Sequence, residues 1–509
     1  MSVSPTPSPL PPPGSPAPTP APGSAAEAAR ARGVQLGRRS LREHATRGVL
    51  ISGVWMAVMG AVQTGRNLVL PAVVGPSEYG LWGALLVAGA LLAAFRTTGA
   101  NEIFVGQNEE DQEQAFQRVF AIEVTVNALL MVITVAVAPL LALMYGDDRL
   151  LLLGMATALA WPAQTLQAPL WMLNRTMQFG RLRLIQSVDP VIGTIVAIGL
   201  AVAGLGAWAI VLGILVGAWG TALIAIVISP YKLRPRFDRE ALRRYGGISV
   251  PLWLSAVTAS LVSLGLMVLA RWEIGLVAVG AVTLAANLTF FAQRLDQAVS
   301  TVLYPAIAAA QDKPDVLHET FGKANRVGLA WAVPVAALLV VFGPELVPLL
   351  YGDEWRDAIP VVQWFAIAIA IAHLGTNWWQ YELVQGDARP MAVNGVMAIV
   401  FFVVLQIPPV LLWGLEGLAI SAVAQALGQL AVRTIYVRRR FGHWSPIGLA
   451  LRSLLPVLPA TAAGYGLLRT DLPLGASIGT FLVLLLAGTL LFERSLVREI
   501  GGYLRGAVR

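Results

Sequence analysis

The stretch LALMYGDD, residues 141–148, returns as VPLLYGDE at residues 347–354. Each copy is an apolar run that stops at Tyr-Gly before two acidic residues. Two further pairs of similar segments occur in the same order: YGLWGAL (79–85) with VGAVTLA (279–285), and GLGAWAI (204–210) with GLEGLAI (414–420). The offsets of 200, 206 and 210 residues increase smoothly along the chain. One short echo of common apolar residues would be chance, but three in order indicate an internal duplication.

The composition places this duplication in a membrane. The 509 residues are 56% hydrophobic and 13% charged, with a mean hydropathy of +0.68, whereas soluble domains carry about 25% charged residues. Long apolar runs recur along the chain, each sufficient to cross a hydrocarbon core of roughly 30 Å as a helix. They predict fourteen transmembrane helices: 48–74, 80–104, 118–144, 150–173, 184–203, 207–229, 247–271, 276–304, 326–350, 358–384, 391–413, 417–437, 447–468 and 473–492.

The repeat unit comprises six of these spans. An even number returns the chain to the same side, so both copies have the same orientation and are related by an axis along the membrane normal. The predicted fold is an all-α polytopic membrane protein of two six-helix lobes and two C-terminal helices, and lobes around a midplane cavity are typical of alternating-access transporters. The predicted divisions are a Pro- and Ala-rich disordered and then basic cytoplasmic tail (1–44), a first lobe (45–230), a basic loop (231–246), a second lobe (247–440), and two extra helices with a cytoplasmic tail (441–509).

The distribution of Lys and Arg predicts the orientation, since short cytoplasmic loops collect them. With the N-terminus inside, the basic clusters at 38–47, 175–183, 232–244 and 438–440 all fall on the cytoplasmic side. The predicted external loops hold only Arg149, Arg356 and Arg469, with Arg271 at a border. The net charge of +7 mostly reflects this asymmetry. No nucleic-acid partner is expected, because membrane spans separate the basic clusters.

Over about residues 45–440, the chain resembles the polysaccharide transporter, or O-antigen flippase, branch of the multidrug/oligosaccharidyl-lipid/polysaccharide exporter superfamily. The motifs that carry the resemblance are VGPSEYGLWGALL (74–86), YGDD (145–148), NRTMQFGRLRLIQ (174–186), GLGAWAIVLG (204–213), LYPAIAAAQ (303–311) and LVPLLYGDEWRDA (346–358). The family often has an arginine just before the GPSEYG-type segment. Here residues 71–73 are Pro, Ala and Val, and Arg66 is the nearest basic residue.

The resemblance implies export of undecaprenyl-pyrophosphate-linked sugar units across a bacterial inner membrane, for lipopolysaccharide or other surface polysaccharide. The implied partners are the lipid-linked oligosaccharide, membrane lipids, a polysaccharide polymerase and glycosyltransferases. The alternatives are a drug or cation exporter of the same superfamily, a lipid II flippase and, from another class, a non-transporting membrane scaffold. The number of spans favours a flippase over a drug exporter.

Intramembrane polar residues are the candidates for a substrate cavity, because pyrophosphate requires cations and sugars require amides and aromatic rings. Arg66 lies about eight residues before the end of the first span, or roughly 12 Å of helix. At that depth a charge facing lipid is costly, so Arg66 is predicted to face the cavity. The alternative is a side chain that snorkels to the outer interface.

The other cavity candidates are amides and a histidine. His373, Asn377 and Gln380 fall at i, i+4 and i+7 of the tenth span, on one predicted helical face. By the repeat, the fourth span contributes Gln164 and Gln167. These groups could equally bond neighbouring helices together.

Three charged residues are candidates for inter-lobe contact or ion coupling. The offset of 200 places Arg96 and Asp296 at equivalent points of the second and eighth spans, and Glu123 lies six residues into the third. All three also fit a position at the membrane border. A proton gradient, a sodium gradient or the membrane potential is the expected driving force.

Several classes of chemistry are not expected. No predicted external loop reaches twenty residues, so an enzyme with an external catalytic domain is not expected. The sequence has no Gly-rich phosphate loop with Lys and Ser or Thr, and no His/Asp/Glu cluster with metal-ligand spacing. Neither ATP nor a metal nor another cofactor is therefore predicted.

Overall fold

A computed structural model describes residues 41–96, 100–106, 111–238, 250–289, 307, 313–442 and 444–494. The main elements in these ranges are α-helices. They are α1 Leu41–Val74, α2 Pro76–Ala94, α3 Ala100–Gly106, α4 Gln112–Tyr145, α5 Arg149–Ala158, α6 Ala160–Thr165, α7 Leu170–Arg175, α8 Phe179–Gln186, α9 Val188–Val202, α10 Ala207–Val227, α11 Val250–Glu273, α12 Leu276–Thr289, α13 Pro314–Tyr351, α14 Ala358–Ala372, α15 Trp378–Val384, α16 Arg389–Phe401, α17 Ile407–Phe441, α18 Pro446–Leu454, α19 Leu458–Leu467 and α20 Leu474–Phe492.

Eight helices of the described ranges are long and apolar enough to cross a membrane, or nine if the bent pair α18 and α19 forms one span. Helices α12 and α14 are apolar but shorter. The predicted all-α polytopic membrane fold is therefore confirmed, while the count of fourteen stays a prediction. The tail up to residue 40, residues 239–249 of the basic loop region and the segment after residue 494 lie outside the described residues.

The duplicated Tyr-Gly motif ends two long helices, α4 and α13. Both tyrosine side chains are buried. The glycines that follow have positive φ angles, +59° at Gly146 and +94° at Gly352, which a residue with a β-carbon adopts only with strain. The amide of Asp147 closes the end of α4 by donating to the carbonyl of Ala142 at 3.1 Å. The motif is therefore a helix stop written twice, 206 residues apart.

Two of the predicted spans are interrupted in the structure. The predicted span 150–173 consists of α5, α6 and α7, and the predicted span 358–384 consists of α14 and α15. In the second case Gly375 has a φ of +74°, and its amide donates to the Asn325 side chain at 2.6 Å instead of continuing the helical ladder. The prediction of an unbroken helix is wrong here, because a side chain from α13 takes a backbone bond of the turn.

The first half of the chain (41–238) and the second half (250–494) pack closely through α2 and α12. Gly80 lies against the carbonyl of Leu276, and Gly280 lies against the carbonyl of Pro76. Gly280 and Leu276 lie 200 residues after Gly80 and Pro76, so the two contacts are one contact with the halves exchanged. A two-fold axis between the halves produces such a pair of contacts. We call this contact the glycine seam. Beside it, the ring of Tyr79 packs edge-on against that of Trp355, with 5.9 Å between centroids.

The glycine seam predicts opposite effects for two alanine substitutions on one helix. A β-carbon at Gly80 would lie 2.5 Å from the Leu276 carbonyl oxygen, so Gly80→Ala should destabilise the protein by about 1–3 kcal/mol through overpacking. A β-carbon at Gly89 meets nothing within 4 Å, and Gly89→Ala should be neutral or stabilising by up to about 1 kcal/mol. Thermal unfolding of both purified variants in one detergent measures the difference. Equal unfolding temperatures would contradict the close packing at this seam.

Candidate functional site

A polar network lies inside the first half of the chain, where the end of α2 meets α4 and α6. Glu123 is only 4% exposed and accepts from Arg96 Nη2 at 3.1 Å. Arg96 also donates through Nη1 to Gln164 Oε1. Asn127 donates to the same Glu123 oxygen at 3.0 Å and to the Thr165 hydroxyl at 2.9 Å. The network therefore places an ion pair and three neutral polar groups together within a membrane-spanning bundle.

Sequence reasoning found part of this network. Arg96 and Glu123 are predicted as charges for inter-lobe contact or ion coupling, whereas Gln164 is predicted as a residue of the substrate cavity. Asn127 was missed, although its position four residues after Glu123 puts both side chains on one face of α4. Asp296 lies outside the described residues, so its meeting with Arg96 stays a prediction; the carboxylate that Arg96 contacts in the structure is Glu123. The second predicted amide of the fourth span, Gln167, donates to the carbonyl of Ala218 at 3.3 Å.

Arg66 lies on α1 close to the contact between the two halves. Its guanidinium interacts electrostatically with Tyr79 and Asp189, and its buried Nε has no hydrogen-bond acceptor among the described residues. The adjacent Asn67 donates to Asn287 Oδ1 at 3.4 Å, and Asn287 in turn donates to the Tyr79 hydroxyl at 2.8 Å. A cation, two amides and a phenol therefore lie together where α1 and α2 meet α12. We call these residues the central polar group.

Asp189 is a charged residue that sequence reasoning missed. It lies in the first turn of α9, within the predicted fifth span, where an acid followed by Pro190 is unusual in an otherwise apolar run. The rule that singled out Arg66, that intramembrane charges are rare and functional, applies equally to Asp189. Asp189 interacts electrostatically with Arg66, while the choice between a cavity position and the snorkelling alternative for Arg66 stays open to experiment.

The polar residues of the interrupted tenth span are buried inside the second half. His373 and Asn377 are each 2% exposed and Gln380 is 1% exposed. His373 Nδ1 lies 2.7 Å from the carbonyl oxygen of Ile369. Arg433 donates to the carbonyl of Ala372, where a cation stabilises the negative end of α14. His373 and Asn377 lie in the break between α14 and α15, so the three residues do not share one continuous helical face. Lining of a sugar cavity stays a prediction for them.

Charged side chains tie helix ends together at the end of the bundle that carries the two Tyr-Gly stops. The Glu78 carboxylate accepts from the Ala207 amide at 3.0 Å and from Arg149. Arg149 also contacts Asp147 at 2.8 Å. These hydrogen bonds lower the pKa of the Asp147 carboxyl and raise the pKa of the Arg149 guanidinium. The cluster holds the starts of α2, α5 and α10 in one place.

A second tie at the same end joins the two halves. Arg271, at the end of α11, donates through Nε to the carbonyl of Tyr145 at 2.5 Å, and Trp272 donates through Nε1 to the carbonyl of Met144. These carbonyls lie at the C-terminal end of α4, where a cation is favourable. The sequence placed Arg271 at a membrane border but did not predict this contact.

The helical fold is that of a multi-pass membrane protein with polar groups at the contact between its two halves. Solved structures with a similar fold are transporters. A multidrug resistance MATE family transporter of the MOP superfamily, in an inward-facing conformation, matches with a TM-score of 0.60 at 15% identity, over 78% of this chain and 98% of that one. The lipid II flippase MurJ, in an inward closed conformation, matches with a TM-score of 0.61 at 14% identity, over 88% of this chain and 100% of that one. The chain therefore shares its fold with these two proteins.

The chain belongs to the polysaccharide biosynthesis protein family, which its residues 69–360 match. It is 23% identical over 345 residues to the lipopolysaccharide biosynthesis protein WzxC of Escherichia coli (strain K12), covering 66% of this chain and 69% of that protein. It is 21% identical over 397 residues to an uncharacterized membrane protein in the cps region of Klebsiella pneumoniae, covering 76% of this chain and 80% of that protein. The predicted family resemblance is confirmed.

Proposed function

We propose that the protein is a flippase that moves an undecaprenyl-pyrophosphate-linked oligosaccharide across the bacterial inner membrane for surface polysaccharide synthesis. The observation that carries the proposal is the central polar group. Arg66 offers an intramembrane guanidinium, which suits a phosphate because its donors form a planar fork. Asn67 and Asn287 offer amides of the kind that bond sugar hydroxyls. Membership of the polysaccharide biosynthesis protein family supports a saccharide cargo over a drug.

The proposed mechanism is alternating access between the two halves. With the N-terminus in the cytoplasm, the Tyr-Gly end of the bundle faces outward. The glycine seam and the donation from Arg271 to Tyr145 then join the halves on the outer side, and the central polar group lies below that closure. Opening outward requires these contacts to separate, after which the halves meet at the basic end instead.

The proposal needs no bond-making chemistry and no cofactor. A proton gradient, a sodium gradient or the membrane potential would supply the free energy, and Glu123 with Arg96 is the candidate coupling pair. Glycosyltransferases would assemble the cargo before transport, and a polysaccharide polymerase would consume it afterwards.

The orientation predicts a labelling pattern for single cysteines, because the native chain has none. Asp148 and Asp353 are exposed at the Tyr-Gly end, and Arg181 and Arg236 are exposed at the basic end. Cysteines at the first two positions should react with an impermeant thiol reagent added to intact cells, and cysteines at the other two should react only after permeabilisation. Reaction at only one of the first pair would contradict the parallel arrangement of the two halves.

The function itself is tested with the purified full-length chain in liposomes that contain a fluorescent undecaprenyl-pyrophosphate oligosaccharide. Without protein, an impermeant quencher reaches only the outer-leaflet label, and with protein it should also reach label that began in the inner leaflet. The same liposomes are tested with lipid II and with a cationic drug. Movement of lipid II alone would identify a lipid II flippase, movement of the drug alone would identify a drug exporter, and no movement of any compound would favour a scaffold.

A further inference from the structure

Two arginines share one carboxylate where the C-terminal helices pack against α13. Glu493 follows α20 and is buried. It pairs through Oε2 with Arg326 of α13 and through Oε1 with Arg452 of α18, the latter at 2.7 Å. Among the described residues, the two guanidiniums therefore share this one carboxylate. The Arg452 side chain is 47% exposed, so part of its guanidinium can be reached from outside.

A small cavity, partly open to the surroundings, lies beside this cluster. Its lining combines the three charged residues with apolar side chains, among them Leu329, Leu449 and Val457. A site with guanidinium groups on one side and aliphatic groups on the other matches a molecule with an anionic head and an apolar body. Basic pockets between transmembrane helices bind lipid headgroups on the same principle.

The cavity lies at the basic border of the bundle. Arg326 begins the predicted ninth span, Arg452 lies near the start of the thirteenth, and Glu493 directly follows the fourteenth. Helix α18 is bent by 47° from α19. It leaves Ile447 and Leu451 largely exposed, one turn apart. In a membrane-spanning chain, such a bent helix with an outward apolar face is suited to the headgroup and acyl boundary.

We infer that this pocket binds the phosphate group of an anionic phospholipid, with Arg452 and Arg326 as donors and the apolar face of α18 along an acyl chain. Glu493 occupies part of each guanidinium and leaves the remaining N–H groups of Arg452 for the phosphate. A zwitterionic lipid has the same phosphate but also an ammonium, which the exposed guanidinium of Arg452 repels. The site is separate from the central polar group and does not depend on the proposed function.

The inference is tested by titrating short-chain phosphatidylglycerol or phosphatidylcholine into the purified full-length chain in detergent, with bound lipid counted by native mass spectrometry. Phosphatidylglycerol should bind more tightly. Arg452→Gln should weaken its binding about tenfold, the loss of roughly one charge-assisted hydrogen bond. The matched control is Arg469→Gln, which removes an exposed arginine just after α19, at the opposite end of the bent pair, and should leave binding unchanged.

Glu493→Gln separates lipid binding from a structural role. The Glu493 carboxylate competes with the phosphate for the two arginines, so its removal should retain or increase phosphatidylglycerol binding. If the network were purely structural, this variant would lose lipid as Arg452→Gln does. Thermal unfolding without lipid shows that the variants are folded. Any one of four results would overturn the inference. They are equal binding of the two lipids, equal losses in Arg452→Gln and Arg469→Gln, loss of lipid in Glu493→Gln, and displacement of the lipid by inorganic phosphate alone.

Discussion

Arg66→Ala is expected to abolish polysaccharide export while leaving a normal amount of protein in the membrane. A pyrophosphate that enters the membrane interior must exchange water for fixed donors, and charge-assisted hydrogen bonds contribute about 1.5–3 kcal/mol each. Loss of one such bond slows transport about tenfold or more, and a guanidinium makes two in parallel. The buried Nε of Arg66 has no hydrogen-bond acceptor among the described residues. Removal of the side chain therefore breaks no described hydrogen bond at Nε. Surface polymer measured at matched protein levels gives the result.

Arg66→Lys distinguishes the two interpretations of this residue. An ammonium keeps the charge but not the planar fork, so a phosphate-binding role predicts strongly reduced export for the Lys variant. A snorkelling arginine predicts near-normal export, because lysine reaches the interface equally well. Arg356→Ala, which removes an exposed arginine at the Tyr-Gly end, is the control and should export normally. Full export by both Arg66 variants would remove this residue from the mechanism.

Glu123→Ala is expected to destabilise the folded protein by about 3 kcal/mol, the lower end of the range for a broken buried ion pair. The lower end applies because the Arg96 side chain is 35% exposed, while that of Glu123 is 6% exposed. The substitution leaves the guanidinium of Arg96 without its carboxylate and removes the acceptor of Asn127. Thermal unfolding in detergent measures the effect. Glu319→Ala, which breaks the exposed pair between Glu319 and Lys323, is the control and should unfold at the wild-type temperature.

The double variant Arg96→Met, Glu123→Met separates stability from transport. Replacement of a buried ion pair by apolar side chains is often neutral, so the double variant should regain most of the stability that Glu123→Ala loses. A coupling role predicts that export stays low even though the protein is stable. Normal export by a stable double variant would show that the pair is structural and that ion coupling lies elsewhere.

The repeated Tyr-Gly motif could be predicted from sequence because a helix stop is a local device. An apolar run and a glycine with positive φ suffice to end α4 and α13. The spans themselves were equally predictable, since a long apolar run has few alternatives to a membrane helix. The interruption at Gly375 was not, because it depends on Asn325, a side chain fifty residues earlier in the chain.

The candidate site also contains some residues that the sequence indicates and others that only the structure identifies. Arg66, Arg96 and Glu123 stand out in sequence because charges are rare in apolar spans. Asp189 stands out by the same rule, although it was missed. The amides do not stand out: Asn127 and Asn287 become relevant only through the hydrogen bonds that the structure shows. The offset of 200 pairs Arg96 with Asp296, which lies outside the described residues, so that pairing stays a prediction. The contact of Arg96 with Glu123 is one that no repeat symmetry predicts.

The sequence by itself determined the membrane environment, the helical class and the duplication, because hydropathy and helix stops act over a few residues at a time. The tertiary structure alone decided which polar groups meet. It set Gly80 against Leu276 and Gly280 against Pro76, and it brought Arg452 and Arg326 to one carboxylate. The physical reason is that a buried charge or amide must find its partner within hydrogen-bond distance. That distance is set by the packing of helices that are far apart in sequence.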